Sequence, residues 1–138
     1  MNDFTIGALA KQANVHVETL RYYERRGLLA KPRRTIANYR LYSAEALQRV
    51  RFVKQAQELG FSLNDIKKLL ALRAAPRAKC ADVKKYASQK IVDIDLKIRS
   101  LTRMRQALSK LQKECSGAGP VTRCPILATL EKERSPDN

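Results

Sequence analysis

The chain has 138 residues, a formal charge of +15 and a sequence pI near 10.2, and 44% of its residues are apolar. That apolar share can bury a core, so the composition excludes a wholly disordered chain, and the length limits it to one modest domain or a small domain with an extension. The basic excess is concentrated in residues 1–80, which hold 16 Lys and Arg against 6 Asp and Glu. Such an excess favours a polyanionic partner, and a solvated basic surface explains it equally well.

The cysteines and the N-terminus bear on the compartment. The first residues lack the basic segment and apolar run of a secretion signal, and no apolar stretch approaches the roughly 20 residues that span a bilayer. We therefore expect a cytoplasmic protein. In that reducing compartment, three cysteines favour metal or redox chemistry over a disulfide framework.

The first elements in the chain are two short predicted helices joined by a tight turn. Thr5 suits the N-cap of the first helix, and residues 14–16 break it. The second helix is expected from about Val17 to Arg26, with Gly27 as its stop. This arrangement is typical of a helix-turn-helix. His16, the only histidine, is expected to cap the second helix or touch phosphate, and not to bind metal.

Side chains of the second helix suit contacts with DNA. One of Tyr22 and Tyr23 is expected to point into the core together with Leu20. Thr19, Arg21 and the other Tyr lie among the polar positions, where they suit base-edge and phosphate contacts in a major groove.

Residues 28–42 follow directly and form a basic segment with turn signals. Pro32 and Asn38 suit a turn, and residues 39–42 alternate like a short strand. A basic hairpin in this place is typical of a wing that lies along the phosphate backbone. The interleaved Tyr and Arg residues favour the wing over an exposed loop with scattered charges.

Two further helices complete the predicted DNA-binding domain, residues 1–75. Ser43 suits the N-cap of the third helix, and Gly60 its end. A capping-box pattern in residues 62–65 starts the fourth helix, and Pro76 interrupts it. The third helix is expected to bury one apolar stripe, formed by Leu47, Val50, Val53 and Leu59.

Residues 76–115 are predicted to be a linker and a long dimerisation helix. Between Cys80 and Cys115 there is no Gly or Pro, and small or apolar residues recur with the mean period of about 3.5 that marks a two-helix seam. We call these residues the seam: Val83, Ala87, Ile91, Ile94, Ile98, Leu101, Met104, Leu108 and Leu111. An antiparallel homodimer with its two-fold axis near residues 97 and 98 would set Cys80 of one chain beside Cys115 of the other. A parallel pair would set Cys80 against Cys80.

Residues 116–132 are predicted to be a metal-binding loop and a short helix, and residues 133–138 a disordered tail. Gly117, Gly119 and Pro120 force a loop between Cys115 and Cys124. A straight helix of this length would separate Cys80 from Cys115 by about 52 Å, at 1.5 Å per residue. A single ion therefore needs Cys80 from the partner chain, together with Cys115 and Cys124 from one loop.

An all-thiolate site of this kind selects soft ions. Three thiolates suit a divalent ion better than Cu(I), which two can satisfy, and no fourth protein ligand for tetrahedral Zn(II) is evident. The alternative is that the cysteines are buried small hydrophobic residues. A thiol enzyme is not indicated, because no His or carboxylate is placed to activate a cysteine.

Three motifs resemble the MerR family of transcription regulators. They are residues 19–24 (TLRYYE) with 27–29 (GLL), residues 38–42 (NYRLY), and residues 52–54 with 59–63 (LGFSL) and Ile66. The resemblance covers about residues 4–130 and implies a dimer of winged helix-turn-helix modules on operator DNA. It assigns DNA contacts to Thr19, Arg21, Tyr22 and Tyr23 in the recognition helix, and to Arg40 and Tyr42 in the wing.

The cysteine pattern and residues 124–127 (CPIL) resemble the mercury-responsive members of that family. The resemblance implies Cys80, Cys115 and Cys124 as ligands of Hg(II), and lead and cadmium sensors with three such cysteines keep Pb(II) and Cd(II) open. It also implies repression of a promoter without metal, and activation by distortion of the DNA for RNA polymerase when metal binds.

We therefore expect a mainly α protein: a winged helix-turn-helix domain, a long antiparallel coiled-coil helix and a C-terminal metal-binding loop. The expected function is that of a homodimeric, cytoplasmic metal-responsive transcription regulator, most similar to those that sense Hg(II), and not an enzyme. The alternatives are Pb(II) or Cd(II) in the same scaffold, and an architectural DNA-binding protein with inert cysteines.

Overall fold

The computed structural model describes residues 3–34 and 40–133. The chain is mainly helical, as the sequence predicts. Its elements, in chain order, are α1 Ile6–Ala13, α2 Val17–Arg25, β1 Arg33–Arg34, β2 Arg40–Leu41, α3 Ala44–Glu58, α4 Leu63–Ala74, α5 Cys80–Glu114, a 3₁₀ turn Val121–Arg123 and α6 Pro125–Glu131. No helix among the described residues is long and apolar enough to cross a membrane.

Helices α1 and α2 form the predicted helix-turn-helix. The Ala8 N–H donates to Thr5 Oγ1 (3.2 Å), which caps α1. Asn14 ends α1 in a left-handed conformation (φ 56°), and the Lys54 Nζ donates to its carbonyl oxygen (3.0 Å), so α3 closes the end of α1. His16 stands at the N-cap of α2, but its side chain makes no capping hydrogen bond there. The predicted cap position of His16 is confirmed, and its contact with phosphate stays a prediction.

Strands β1 and β2 pair antiparallel, with Arg33 opposite Leu41 and Arg34 opposite Arg40, as the wing prediction requires. Asn38, a predicted turn residue, and Tyr39, the start of the predicted strand, lie outside the described residues. The backbone of Tyr42 also exchanges two hydrogen bonds with that of Phe4 (2.7 Å each), so the wing is tied to the start of the chain.

The core of the first unit lies where α1, α2, α3 and α4 meet behind the wing. Its largest fully buried side chains are Tyr42, Leu9, Leu20, Leu28, Ile66, Val50 and Val53. Ser62 and Asp65 form the predicted capping box at the start of α4. The inward placement of Leu59 is wrong: it is an exposed residue at the C-cap of α3, where the helix ends and its periodicity no longer applies.

The chain divides into two compact units, residues 1–90 and 91–138. The first unit therefore extends past the predicted boundary at residue 75 and includes the start of α5. Helix α5 is one uninterrupted element of 35 residues, and none of its residues is buried in the single chain. Its seam is thus an apolar stripe that the single chain leaves largely exposed, and its role in dimerisation stays a prediction. The predicted tail, apart from Glu133, lies outside the described residues.

Candidate metal centre and nucleic-acid interface

Cys115 and Cys124 come together at the C-terminal end of the chain. Cys115 directly follows α5, and Cys124 is the N-cap of α6. The loop between them turns through Gly117 (φ 79°) and Gly119 (φ 95°), conformations that side-chain-bearing residues rarely adopt. The Cys115 thiol hydrogen-bonds the sulfur of Cys124. The predicted loop therefore brings two of the three candidate ligands into contact.

The environment of Cys124 favours its thiolate form. The backbone N–H of Leu127 is the main cause of a lowered pKa of this thiol. Burial opposes that shift, and the Ile126 N–H and the Cys115 side chain add to it. Because metal ions bind the thiolate and not the thiol, a lowered pKa suits a metal ligand.

Cys80, the third candidate ligand, is the exposed first residue of α5 and belongs to the first compact unit. The Lys79 N–H donates to Asp82 Oδ2 (2.9 Å), which caps this end of α5. Among residues 3–34 and 40–133, no group of three His, Cys, Asp or Glu side chains in one chain lies close enough to hold an ion. That Cys80 of a second chain completes a three-thiolate site stays a prediction.

The exposed face of α2 carries the candidate DNA contacts. The Arg21 Nη1 lies 2.9 Å from Glu18 Oε1, and both side chains are largely exposed. Tyr22 is 39% exposed. The guanidinium groups of Arg25 and Arg26 each lie 5.9 Å from its ring centroid. Sequence reasoning missed these two arginines, and their position next to the exposed Tyr is the signal that would have found them.

Four other predicted DNA contacts are partly or wholly covered. Thr19 is half-buried, and Arg40 pairs through Nη1 with Glu24 Oε2 (3.1 Å). Tyr23 and Tyr42 are 3% and 1% exposed and belong to the core. The hydroxyl of Tyr23 donates to Gln57 Oε1 (2.6 Å), and that of Tyr42 donates to the Glu24 carboxylate. In the single chain both residues therefore link α2 to another element, Tyr23 to α3 and Tyr42 to the wing. That they contact DNA stays a prediction.

The Tyr42–Glu24 bond makes stability sensitive to alkaline pH. Burial, the hydrogen bond and the charge of Glu24 raise the pKa of Tyr42 to about 12, against a smaller opposite effect of Arg40. Because the folded pKa lies above the usual value near 10, this contribution is complete below pH ~10 and is lost as the pH rises through ~12.

We expect Tyr42→Phe to lower the free energy of unfolding by about 2 kcal/mol at pH 8, the usual value of a hydrogen bond to a charged group. The difference from the wild-type chain should shrink as the pH rises from about 10 to 12, because only the wild-type chain has this hydroxyl to titrate. Urea unfolding followed by circular dichroism, at about pH 8 and about pH 12, measures this difference in the free energy of unfolding. A difference that does not change with pH would contradict the assignment.

Comparisons with known proteins identify the matching family. The model of the MerR HTH family regulatory proteins matches residues 4–72, and that of the MerR DNA-binding region matches residues 47–111. A mercuric resistance operon regulatory protein of Bacillus cereus is 44% identical over 94% of this chain and 98% of its own length. The HTH-type transcriptional regulator ZntR of Escherichia coli is 36% identical over 96% and 95%.

One solved structure is similar over nearly the whole chain. It is the transcription regulator PbrR691 from Ralstonia metallidurans in complex with lead(II), which is 34% identical with a TM-score of 0.81. The similarity covers 92% of this chain and 98% of that one.

Proposed function

The chain belongs to the MerR family of transcription regulators, and from that premise we propose that it is a homodimeric sensor of Hg(II). Members of this family regulate transcription and are not enzymes. The observation that carries the proposal is the contact between Cys115 and Cys124, with the Cys124 thiolate favoured by the backbone N–H groups that start α6. Cys80 of a second chain would complete the ligand set.

The donor set fits the proposed ion. Three thiolates form a soft site, and none of the three cysteines is tied up in a disulfide. The relatives named mercuric resistance operon regulatory proteins support Hg(II), and the similar lead(II) complex keeps Pb(II) as a second candidate. Cd(II) fits the same donor chemistry.

The chain has candidate residues for both functions of a metal-responsive regulator, metal binding and DNA binding. The loop holds Cys115 next to Cys124, and the exposed seam of α5 would contact the partner chain. Arg21, Tyr22 and the arginines beside Tyr22 would contact the operator, and Arg40 would orient the wing through Glu24. Because each ligand set draws on both chains, metal binding would favour one placement of the subunits over the other.

That change of placement would act on the promoter through the DNA. Without metal, the dimer is proposed to hold an operator between promoter elements in an inactive geometry. With metal bound, the operator would be bent and untwisted so that RNA polymerase can use the promoter. We place this activity in the cytoplasm, where RNA polymerase and bacterial promoters are found.

Ultraviolet thiolate–metal absorption tests the proposal directly. Titration of the reduced dimer with Hg(II) should give a saturable absorption band, and the same addition should raise transcription from the cognate promoter. Parallel titrations with Pb(II) and Cd(II) rank the ions by the concentration that half-activates transcription. A titration without a band, with operator binding intact, would favour an architectural DNA-binding protein with inert cysteines.

A further inference from the structure

The start of α5 contacts the rest of the first unit through the side chain of Lys90. The Lys90 Nζ lies 3.7 Å from Asp65 Oδ2 and 5.8 Å from the ring centroid of Phe61. The side chain is only 15% exposed. Its stem crosses Gly60, where an added Cβ would lie 3.8 Å from Lys90 Cδ. Lys90 is therefore seated on the turn that joins α3 to α4.

The groups that receive Lys90 are themselves fixed. Asp65 is the acidic member of the capping box, and its carboxylate accepts from the Ser62 N–H (3.3 Å). Hydrogen bonds from Ser62 are the main cause of a lowered pKa of Asp65, so this carboxylate is charged at neutral pH. The Phe61 N–H donates to the Ala56 carbonyl oxygen (3.1 Å), which fixes the backbone of Phe61 at the end of α3. Lys90 thus binds a preorganised acceptor.

The turn under Lys90 is connected to the recognition helix. The Gly60 N–H donates to the carbonyl oxygen of Gln57 (2.9 Å), and the Gln57 side chain accepts from the Tyr23 hydroxyl (2.6 Å). Tyr23 is a core residue of α2. A continuous series of contacts therefore leads from α5, through the end of α3, to the helix that carries Arg21 and Tyr22.

Lys90 is also the last residue of the first compact unit. Helix α5 continues beyond it without interruption. We infer that Lys90 is a positioning residue that fixes α5 on the α3–α4 turn and passes the metal-bound state of the dimer to the DNA-binding unit. This inference rests on the proposed function and names the point through which its regulation passes.

Lys90→Met removes the charge and keeps the length and helix preference of the side chain. We expect the metal titration to be unchanged and operator affinity without metal to stay within about 3-fold of the wild-type value. The metal-induced rise in transcription should fall by about 5- to 150-fold, the usual range of an allosteric coupling. Lys90→Arg should keep most of the rise, because it restores both the ion pair and the contact with the ring.

Lys84→Met is the matched control, since Lys84 is an exposed lysine on the same helix, and it should respond to metal like the wild-type chain. Phe61→Leu is a second, independent variant that removes the ring under Lys90 and should weaken the response without changing the charge. Normal induction in Lys90→Met would overturn the inference. So would an equal loss of operator binding in the absence of metal, which would indicate a purely structural role.

Failure of the proposed function is distinguishable from failure of this inference. If the proposed function is wrong, the wild-type chain will not respond to metal. The inference concerns only the ratio of the metal-induced rise in transcription between the wild-type chain and Lys90→Met. Thermal unfolding of each variant, followed by circular dichroism, shows that the compared proteins are folded.

Discussion

Cys80→Ser and Cys115→Ser homodimers are each expected to lose the metal response and to keep operator binding, whereas a mixed dimer of the two should respond again. In the mixed dimer, the chain that carries Cys80→Ser supplies an intact Cys115 and Cys124, and the other chain supplies Cys80. One complete three-thiolate set therefore exists only if the site crosses between chains. The loss in each homodimer should exceed about 100-fold in metal affinity, because even indirect supports of a metal ligand cost about 10- to 100-fold.

A second mixture supplies the control for this experiment. Dimers of Cys115→Ser with Cys124→Ser keep Cys80 in both chains but have no intact pair at either end, so they should not bind. Tagging the two chains differently allows the mixed dimers to be purified before ultraviolet titration. Binding by the control mixture, or its absence in the first mixture, would show that the cross-chain assignment is wrong.

The sequence predicted most of the helices because their boundaries are set locally. Ser62 and Asp65 form the capping box that their spacing indicates, and α5 begins at Cys80 and ends one residue before Cys115. No Gly or Pro interrupts it, and the first Gly after it adopts a left-handed conformation that no helix continues. Local chemistry of this kind is visible in a single sequence.

The contacts of Tyr23 and Tyr42, unlike the helix boundaries, could not be predicted from the local sequence. The pattern of the second helix predicted that either Tyr22 or Tyr23 points into the core, and in the structure Tyr23 does. Whether Tyr42 faces DNA or the core depends on Glu24, which is 18 positions away in the chain and meets it only in the folded structure. A buried acceptor for a phenol is a tertiary property, so the local sequence could not predict the hydrogen bond between Tyr42 and Glu24.

The cysteine site was predictable only in part, for a related reason. The loop glycines bring Cys115 to Cys124 within one chain, and that contact follows from the local sequence. The place of Cys80 depends on how two copies of α5 meet, which neither one sequence nor one chain contains. In the proposed dimer, the pairing of the two seams determines where Cys80 lies.

Ile98→Lys is expected to separate the two chains and thereby remove operator binding. Ile98 is 54% exposed in the single chain and lies next to the midpoint between Cys80 and Cys115. In an antiparallel pair, a seam residue at this midpoint lies close to its own copy in the partner chain. The substitution removes an apolar side chain from both chains and puts two like charges near the two-fold axis. At about 2–5 kcal/mol for each lost core side chain, dimer affinity should fall by at least about 1,000-fold.

Leu96→Lys is the matched control, because Leu96 has nearly the same exposure, 53%, and is not part of the seam. Two residues correspond to about 200° around a helix of 3.6 residues per turn, so Leu96 points away from the partner that Ile98 meets. Sedimentation velocity over a range of concentrations gives the dimer affinity, and gel-shift titration gives operator binding. If both variants stayed dimeric, the seam would not be the interface. If Ile98→Lys alone dissociates and loses operator binding, the seam is the interface, and the proposed metal site, which needs Cys80 from the partner, is expected to be lost with it.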